Sequence, residues 1–196
     1  MLIRKILRQY KCRKAKNNFI KSVTLVGDEQ ISGPNTYIQL QDGAKKENVI
    51  IEEGAWVEGM IVVQDKGQVI MHKHSKIGAT TKILCVNRVE IGAYTAIAND
   101  TTICDNNNHP ISPEYRMKMR TTPVGHDMRM WKHSANAPII IEENCWIGSN
   151  VRICKGVRIG RNSVVAACSV VTKDVPANCI VAGNPAKIVK SDIDKL

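Results

Sequence analysis

The segment around His109 holds the residue types that could carry out acid–base chemistry. Residues 104–138 read CDNNNHPISPEYRMKMRTTPVGHDMRMWKHSANAP, a polar stretch with four prolines that follows a regular apolar segment. An imidazole with an ordinary pKa of about 6.5 can take a proton from a hydroxyl near neutral pH. Asp105 is the nearest acid in sequence that could fix the ring through its second nitrogen. The residues alone leave open the alternative that His109 is an ordinary polar loop residue.

The other histidines do not complete a metal site in this sequence. His72 and His74 lie in a polar stretch, and His126 and His133 lie further along the same loop as His109. A zinc ion needs three or four converging ligands, and no second imidazole is closely spaced with His109. We therefore expect no metal, and we expect His133 to contact an acceptor molecule.

A six-residue repeat occupies the sequence on both sides of the loop. Every sixth position from Ile141 onward is Ile or Val, at Ile147, Ile153, Ile159, Val165 and Val171. A period of six fits neither a helix nor a simple amphipathic strand, but it fits a coil of three short strands with a corner every six residues. Each corner is expected to need a small residue, because the backbone turns tightly there.

The composition agrees with a stack of such coils. The chain contains 24 Ile and 19 Val but only 6 Leu, a balance that favours pleated sheet over helix. We expect an all-β fold with five or six coils of about 18 residues, stacked about 4.8 Å apart. The predicted organisation is an arm at 1–21, a β-helix at 22–176 with an inserted loop at 104–138, and a C-terminal segment at 177–196.

Most of the net charge of +10 lies in residues 1–21, which contain eight Lys or Arg and no acid. Leu2, Ile3, Ile6, Leu7 and Tyr10 recur at helical spacing, so the arm is predicted to be a short amphipathic helix. It could pack on the body or on a neighbouring subunit, or contact the anionic inner face of a membrane. Nucleic acid is not expected as a partner, because no reading motif accompanies the basic arm.

The cysteines and the hydropathy indicate a cytoplasmic protein. None of the seven Cys forms a CxxC pair, and most lie in apolar segments, so free thiols in a reducing compartment are expected. No apolar run is long enough to span a bilayer as a helix.

Three motifs together resemble a known family. Asp105 and His109-Pro110 follow a coil, the next block opens at Pro138 and leads to Trp146-Ile147-Gly148, and VTKDVP (171–176) and AGNPAKI (182–188) come after it. This pattern resembles the hexapeptide-repeat acyltransferases, and within them the sugar and polysaccharide O-acetyltransferases that include the maltose and galactoside acetyltransferase group.

The resemblance implies a left-handed parallel β-helix, a homotrimer, and His109 as the general base of acetyl transfer from acetyl-CoA. Implied acetyl-CoA contacts are Trp146, Ser149, Ala167, Thr172, Lys173, Pro185, Lys187 and Lys190. Candidate acceptor contacts are Asn87, Arg88, Arg116 and His133. The acidic and amide set that relatives use for simple sugars is not recognisable before His109, so a different acceptor is expected.

The expected activity is O-acetylation of a sugar hydroxyl in a surface polysaccharide, lipopolysaccharide or capsule precursor. Two alternatives remain at this point. The acceptor could be the amine of an amino sugar on a nucleotide, or the repeat could be a structural β-helix without enzymatic activity.

Overall fold

One helix followed by a parallel β-helix is the architecture of the chain in the computed structural model. The structure describes residues 2–195, and their side chains from residue 9 onward. In chain order the helices and strands are α1 (Leu2–Ser22), β1 (Thr24–Leu25), β2 (Ile31–Ser32), β3 (Tyr37–Gln41), β4 (Val49–Ile51), β5 (Trp56–Val57), β6 (Met60–Gln64), β7 (Gln68–Met71), β8 (Lys76–Ile77), β9 (Lys82–Cys85), β10 (Arg88–Ile91), β11 (Ala96–Ile97), β12 (Thr102–Cys104), α2 (Pro113–Thr121), β13 (Ile139–Ile141), β14 (Trp146–Ile147), β15 (Arg152–Cys154), β16 (Arg158–Ile159), β17 (Val164–Val165), β18 (Val170–Val171), β19 (Ile180–Gly183) and β20 (Ala186–Lys190).

The strands rotate through three sheets, so that three successive strands make one coil. Sheet 1 contains β1, β4, β7, β10, β13 and β16, and sheet 3 contains β3, β6, β9, β12, β15 and β18. Sheet 2 contains β2, β5, β8, β11, β14, β17 and β19, with β20 added antiparallel to β19 at its edge. The six strands in each of sheets 1 and 3 confirm the all-β fold and the predicted number of coils.

The core is a column of aliphatic side chains, as the repeat predicts. Ile97 pairs in register with Ile147 of the next coil, and Ile147 pairs with Val165 of the coil after it. All three are at most 1% exposed. Burying one such side chain stabilises the fold by about 1.5–3 kcal/mol relative to leaving it in water, so the stack is held by many equal increments.

The corners need small residues for a different reason from the one expected. The left-handed backbone that turns the chain is adopted by side chains such as Asn144 (φ 55°) and Asn150 (φ 58°), residue types that tolerate this region. The glycines lie earlier in the corner, where the next coil stacks closely. A Cβ at Gly92 would lie 2.4 Å from the carbonyl carbon of Glu142, a distance that no packed side chain can adopt.

Helix α1 closes the first coil through the second half of its length. Ala15 and Phe19 are buried there. The amide of Asn18 donates to Ile38 O at 3.0 Å, and its oxygen accepts from Ile38 N at 2.7 Å, which caps the edge strand β3. The predicted apolar stripe has five residues. The side chains of four of them, Leu2, Ile3, Ile6 and Leu7, lie outside the described residues, and the fifth, Tyr10, is exposed. No helix in the described range is long and apolar enough to cross a membrane.

The outer side of sheet 1 carries a histidine between two acids of neighbouring coils. His72 Nδ1 lies 3.0 Å from Glu52 Oε1, and its Nε2 lies 2.9 Å from Glu90 Oε1. Burial acts to lower the pKa of His72, but the hydrogen bonds with Glu90 and Glu52 outweigh it and raise the pKa above its ordinary value. His72 therefore links three successive coils through these two contacts.

All seven cysteines are free, as the sequence predicted. The predicted C-terminal segment 177–196 begins within this architecture, since β19 continues sheet 2 before the chain reverses into β20.

Candidate functional site

A buried carboxylate stands at the root of the insertion, directly after β12. Asp105 is fully buried. Its Oδ1 accepts from Val86 N at 3.0 Å and from the Asn106 amide at 3.0 Å, and its Oδ2 accepts from Asn87 N at 2.7 Å. Burial raises the pKa of Asp105 against the opposing effect of these bonds. Burial, with the nearby Asp105 charge, also raises the pKa of the Cys85 thiol, which therefore stays protonated.

The first and last residues of the insertion are hydrogen-bonded to each other next to Asp105. Ala137 N donates to Asp105 O at 2.9 Å, and Asn107 N donates to Ala135 O at 3.0 Å. Asn106 and Asn136 form an antiparallel bridge. The coil below contributes as well, since the Asn87 amide donates to Asn136 Oδ1 at 2.9 Å. The insertion therefore leaves and re-enters the β-helix through a short, fully hydrogen-bonded neck.

His109 is presented to solvent from this neck. Asn108, in the left-handed region (φ 60°), donates its N–H to Asn106 Oδ1 at 2.8 Å, and His109 N donates to Asn107 O at 2.6 Å. The imidazole is exposed and makes no hydrogen bond to any of the described residues. The expected partnership with Asp105 is absent from this arrangement, because the carboxylate is occupied by Val86, Asn87 and Asn106. The catalytic role of Asp105 stays a prediction.

Beyond His109 the insertion forms α2 and then folds back over sheet 3 towards the first coils. Val62 and Gln64 are buried although they point away from the core. Trp131 N donates to Gln64 Oε1 at 2.9 Å, so the returning chain covers them. Lys132 Nζ lies 3.4 Å from a carboxylate oxygen of Asp42, so the insertion extends as far as the corner of the first coil.

A small cavity lies within the insertion, and Pro110, the residue after His109, forms part of its wall. It has a volume of about 280 Å³ and is lined by Pro110, Tyr115, Met128 and His133. His133 Nε2 lies 2.7 Å from Asp127 Oδ2, and hydrogen bonds from Lys132 and His133 lower the pKa of Asp127.

The predicted acceptor residues lie in different places. His133 lines this cavity, and the Arg116 guanidinium donates to Ile111 O within the insertion. Asn87 is part of the neck. Arg88 is engaged on the outer side of sheet 1, where its Nη2 lies 2.6 Å from Glu90 Oε2. Arg88 is thus held in a surface ion-pair network rather than with the insertion.

The residues predicted to bind acetyl-CoA lie along the C-terminal coils. Trp146 projects from β14 and is 61% exposed. Ser149 O accepts from Cys168 N at 2.9 Å, which stacks the corner of Ser149 beneath that of Ala167. Gly183 N donates to Ser169 Oγ at 3.1 Å, so the β19–β20 turn lies against the same corner.

The remaining members of that set flank this corner. Pro185 lies in the β19–β20 turn, Lys187 and Lys190 are exposed on β20, and Thr172 and Lys173 are exposed directly after β18. Most of the predicted set is therefore brought to neighbouring corners of the last coils. Within the described range, no group of three or more His, Cys, Asp or Glu is arranged to hold a metal ion.

Comparison with known proteins agrees with this architecture. Residues 138–173 match a family model described as bacterial transferase hexapeptide (six repeats). The galactoside O-acetyltransferase of Escherichia coli is 39% identical over 99 residues, which are 50% of this chain and 49% of the relative. Residues 138–173 of the chain therefore carry the hexapeptide repeat of bacterial transferases. The match spans about half the length of that curated relative.

Solved structures extend the likeness over most of the length of the chain. The polysialic-acid-specific acetyltransferase NeuO is 26% identical with a TM-score of 0.55, and 87% of each chain is covered. A variant of AntD, an N-acyltransferase from Bacillus cereus, was solved with dTDP and coenzyme A. It is 17% identical with a TM-score of 0.67, and the match covers 90% of this chain and 87% of AntD. The AntD likeness concerns the fold alone.

Sequence reasoning missed the residues that build the neck of the insertion. Asn106 and Asn136 bond to each other's segments, and Asp127 organises Lys132 and His133. The run of asparagines at 106–108 was the available signal, since Asn often bonds to nearby backbone and tolerates left-handed conformations.

Proposed function

We propose that the chain is an acyltransferase that moves an acetyl group from acetyl-CoA to a sugar hydroxyl. The observation that carries the proposal is the exposed His109 imidazole, presented by a hydrogen-bonded neck and followed directly by Pro110 of the cavity wall. The match of residues 138–173 to the bacterial transferase hexapeptide model supports transfer chemistry. The names of the galactoside and polysialic acid enzymes support a carbohydrate acceptor. The acceptor proposed is a sugar of a surface polysaccharide, lipopolysaccharide or capsule precursor.

In the proposed step, His109 takes the proton of the acceptor hydroxyl as its oxygen attacks the thioester carbon of acetyl-CoA. The tetrahedral intermediate then collapses and the C–S bond breaks. The imidazolium returns its proton to the departing sulfur, so that the products are the acetyl ester and free coenzyme A. The ring is free to act in this way because no neighbouring described side chain occupies either nitrogen.

We assign the donor to the last coils, with Trp146, Ser149, Ala167, Thr172, Lys173 and Pro185 along its arm and Lys187 and Lys190 at its phosphates. Small residues at these corners leave room for a thin pantetheine chain, and ammonium groups on β20 suit phosphate. Both lysines are exposed and carry no ion pair within the described residues. Asp105 is proposed to act by positioning the neck, and no metal takes part in the reaction.

The proposal extends to assembly and location. The left-handed winding and the homotrimer are proposed from the family resemblance, and the cytoplasmic location is proposed from the free cysteines. Contact of residues 1–21 with the inner face of a membrane is supported by their charge and by the exposed Tyr10 and Ile20 of α1. Sedimentation of the protein with anionic and neutral vesicles tests that contact.

The central test compares His109→Ala with His126→Ala, an exposed histidine of the same insertion whose Nδ1 accepts from Met128 N at 3.2 Å. Thiol release from acetyl-CoA is measured against a panel of sugars and glycans, and acetyl-CoA binding is measured by calorimetry. We expect His109→Ala to lose about a hundredfold or more in kcat with donor binding unchanged, as expected for loss of a general base. His126→Ala should keep full activity.

Other outcomes separate the alternatives. If His109→Ala keeps more than a few per cent of wild-type activity, the general-base role is wrong. An acetyl product that resists alkaline hydroxylamine would be an amide and would favour an amino-sugar acceptor. Absence of acetyl-CoA binding would favour a structural role for the β-helix.

A further inference from the structure

The exposed part of the insertion carries a positive charge that its own acids do not neutralise. Residues 105–138 contain five Lys or Arg and three acids. Of the acids, Asp105 is buried in the neck, and Asp127 is engaged by Lys132 at 2.7 Å and by His133 at 2.7 Å. Glu114 is therefore the remaining exposed carboxylate of the segment.

Three arginines of the insertion have no carboxylate partner among the described residues. Arg116 and Arg120 are four residues apart on α2, so they share one face of that helix. Arg129 lies at the end of the same helix, where its Nε donates to Thr122 O at 3.0 Å and its Nη2 to Arg120 O at 3.5 Å. Backbone carbonyls thus hold Arg129 close to Arg120 while leaving its charge uncompensated.

Two residues that line the cavity are next in sequence to arginines of this cluster. Tyr115 precedes Arg116 on α2 and lines the cavity, and Met128 precedes Arg129 and lines it as well. The lining combines an exposed aromatic ring, a proline and a histidine. An aromatic face and apolar walls suit the apolar face of a sugar ring, whereas guanidinium groups bind carboxylates through paired N–H donors.

We propose that the acceptor is an anionic glycan whose sugar units carry carboxylates, bound with one ring in the Tyr115 cavity and its acid groups on Arg116 and Arg120. The proposal rests on the proposed function and narrows its acceptor to acidic sugars. Of the available anions, the glycan carboxylate is favoured over the phosphates of acetyl-CoA. Residues suited to those phosphates, Lys187 and Lys190, lie on β20 and not in the insertion.

Binding is measured first, because it does not depend on catalysis. Calorimetry with the full chain uses an oligosialic acid and an oligogalacturonate as acidic probes and a galacto-oligosaccharide as the neutral probe. We expect saturable binding of an acidic probe that weakens with added salt, and binding of the neutral probe that is at least about tenfold weaker.

The variants are Arg116→Ala/Arg120→Ala and the control Lys118→Ala. Lys118 is an exposed cation of the same helix but lies two residues from each arginine, and Glu114 precedes it by one turn. The double variant should weaken acidic-probe binding, and raise its KM where turnover is seen, by at least about tenfold, as expected for two lost charge-assisted contacts. The KM for acetyl-CoA should stay within about twofold, and the control should match wild type.

Two results would overturn the inference. One is equal affinity for neutral and acidic probes, and the other is a rise in the KM for acetyl-CoA in the double variant, which would assign the arginines to the donor phosphates. Binding of an acidic probe without any acetyl transfer would refute the proposed function while leaving the anionic-glycan site in place.

Discussion

Replacing Asp105 by Asn keeps the shape of this side chain but removes one acceptor oxygen at the root of the insertion. In the wild type, three buried N–H donors converge on the carboxylate, from Val86 N, Asn87 N and the Asn106 amide, at 2.7–3.0 Å. An amide oxygen can keep the two backbone donors, but the new NH₂ group then faces the Asn106 amide. The substitution therefore leaves at least one donor without an acceptor.

The magnitude follows from that count of donors. One unpaired buried donor costs about 1–3 kcal/mol of unfolding free energy. For a chain of this size, each kcal/mol lowers the Tm by about 2–4 °C, so the expected loss is about 2–12 °C. Asp105→Ala leaves all three donors unpaired and should cost at least about 3 kcal/mol. Since the neck holds His109, kcat should fall as well, whereas acetyl-CoA affinity should stay within about twofold because the last coils are untouched.

Urea titration, thermal melting and steady-state kinetics measure these effects. Asp65→Asn is the matched control, because Asp65 (φ 54°) follows β6 at the corresponding corner two coils earlier, and Asn tolerates the same left-handed backbone. An Asp105→Asn protein with wild-type stability would refute the role of the carboxylate as the anchor of the neck. A variant that is destabilised but has wild-type kcat would show that the neck does not set the position of His109.

Three further changes test other parts of the molecule. The raised pKa of His72 means that its contribution to stability is fully present below the ordinary pKa of about 6.5 and is lost as pH rises through the raised pKa. His72→Gln should therefore flatten the pH dependence of the urea midpoint above about pH 6.5. Gly92→Ala should cost at least about 2 kcal/mol by thermal melting, because its Cβ would lie 2.4 Å from the Glu142 backbone; an unchanged Tm would contradict the stacking argument. Trp146→Ala should weaken acetyl-CoA binding by about tenfold in calorimetry, whereas Trp56→Ala, on an early strand of the same sheet, should not; equal effects would contradict the assignment of the donor.

The β-helix could be predicted from the sequence because its rule is local and repeated. One inward aliphatic residue every six positions, as at Ile141, Ile147 and Ile153, is sufficient to place strands, coils and core. The corner chemistry was harder to predict. Two requirements, a left-handed backbone and close stacking, fall on different positions, as Asn144 and Gly92 show, and a single sequence does not separate them.

The insertion could be located from the sequence, but its path could not be predicted. Its anchors join residues far apart in the chain, such as Trp131 with Gln64 and Lys132 with Asp42. No periodic pattern records such contacts, since each depends on where the returning segment meets a coil. The sequence likewise could not show which groups surround Asp105, so Asp105 was expected to pair with His109, the imidazole nearest to it in sequence. Its buried position instead commits it to donors supplied by the coil below.

The positive charge of the chain is divided among elements that can serve different partners. Eight cations lie in residues 1–21, an uncompensated arginine cluster lies on and beside α2, and Lys187 and Lys190 lie on β20. Screening by salt limits the electrostatic effect of each group of cations to its own neighbourhood, because exposed charges more than about 8–10 Å apart interact weakly at physiological ionic strength. Membrane contact, acceptor binding and donor binding should therefore respond separately to substitution. Loss of the β20 lysines should raise the KM for acetyl-CoA and leave the KM for the acceptor unchanged, the reverse of the pattern expected for Arg116 and Arg120.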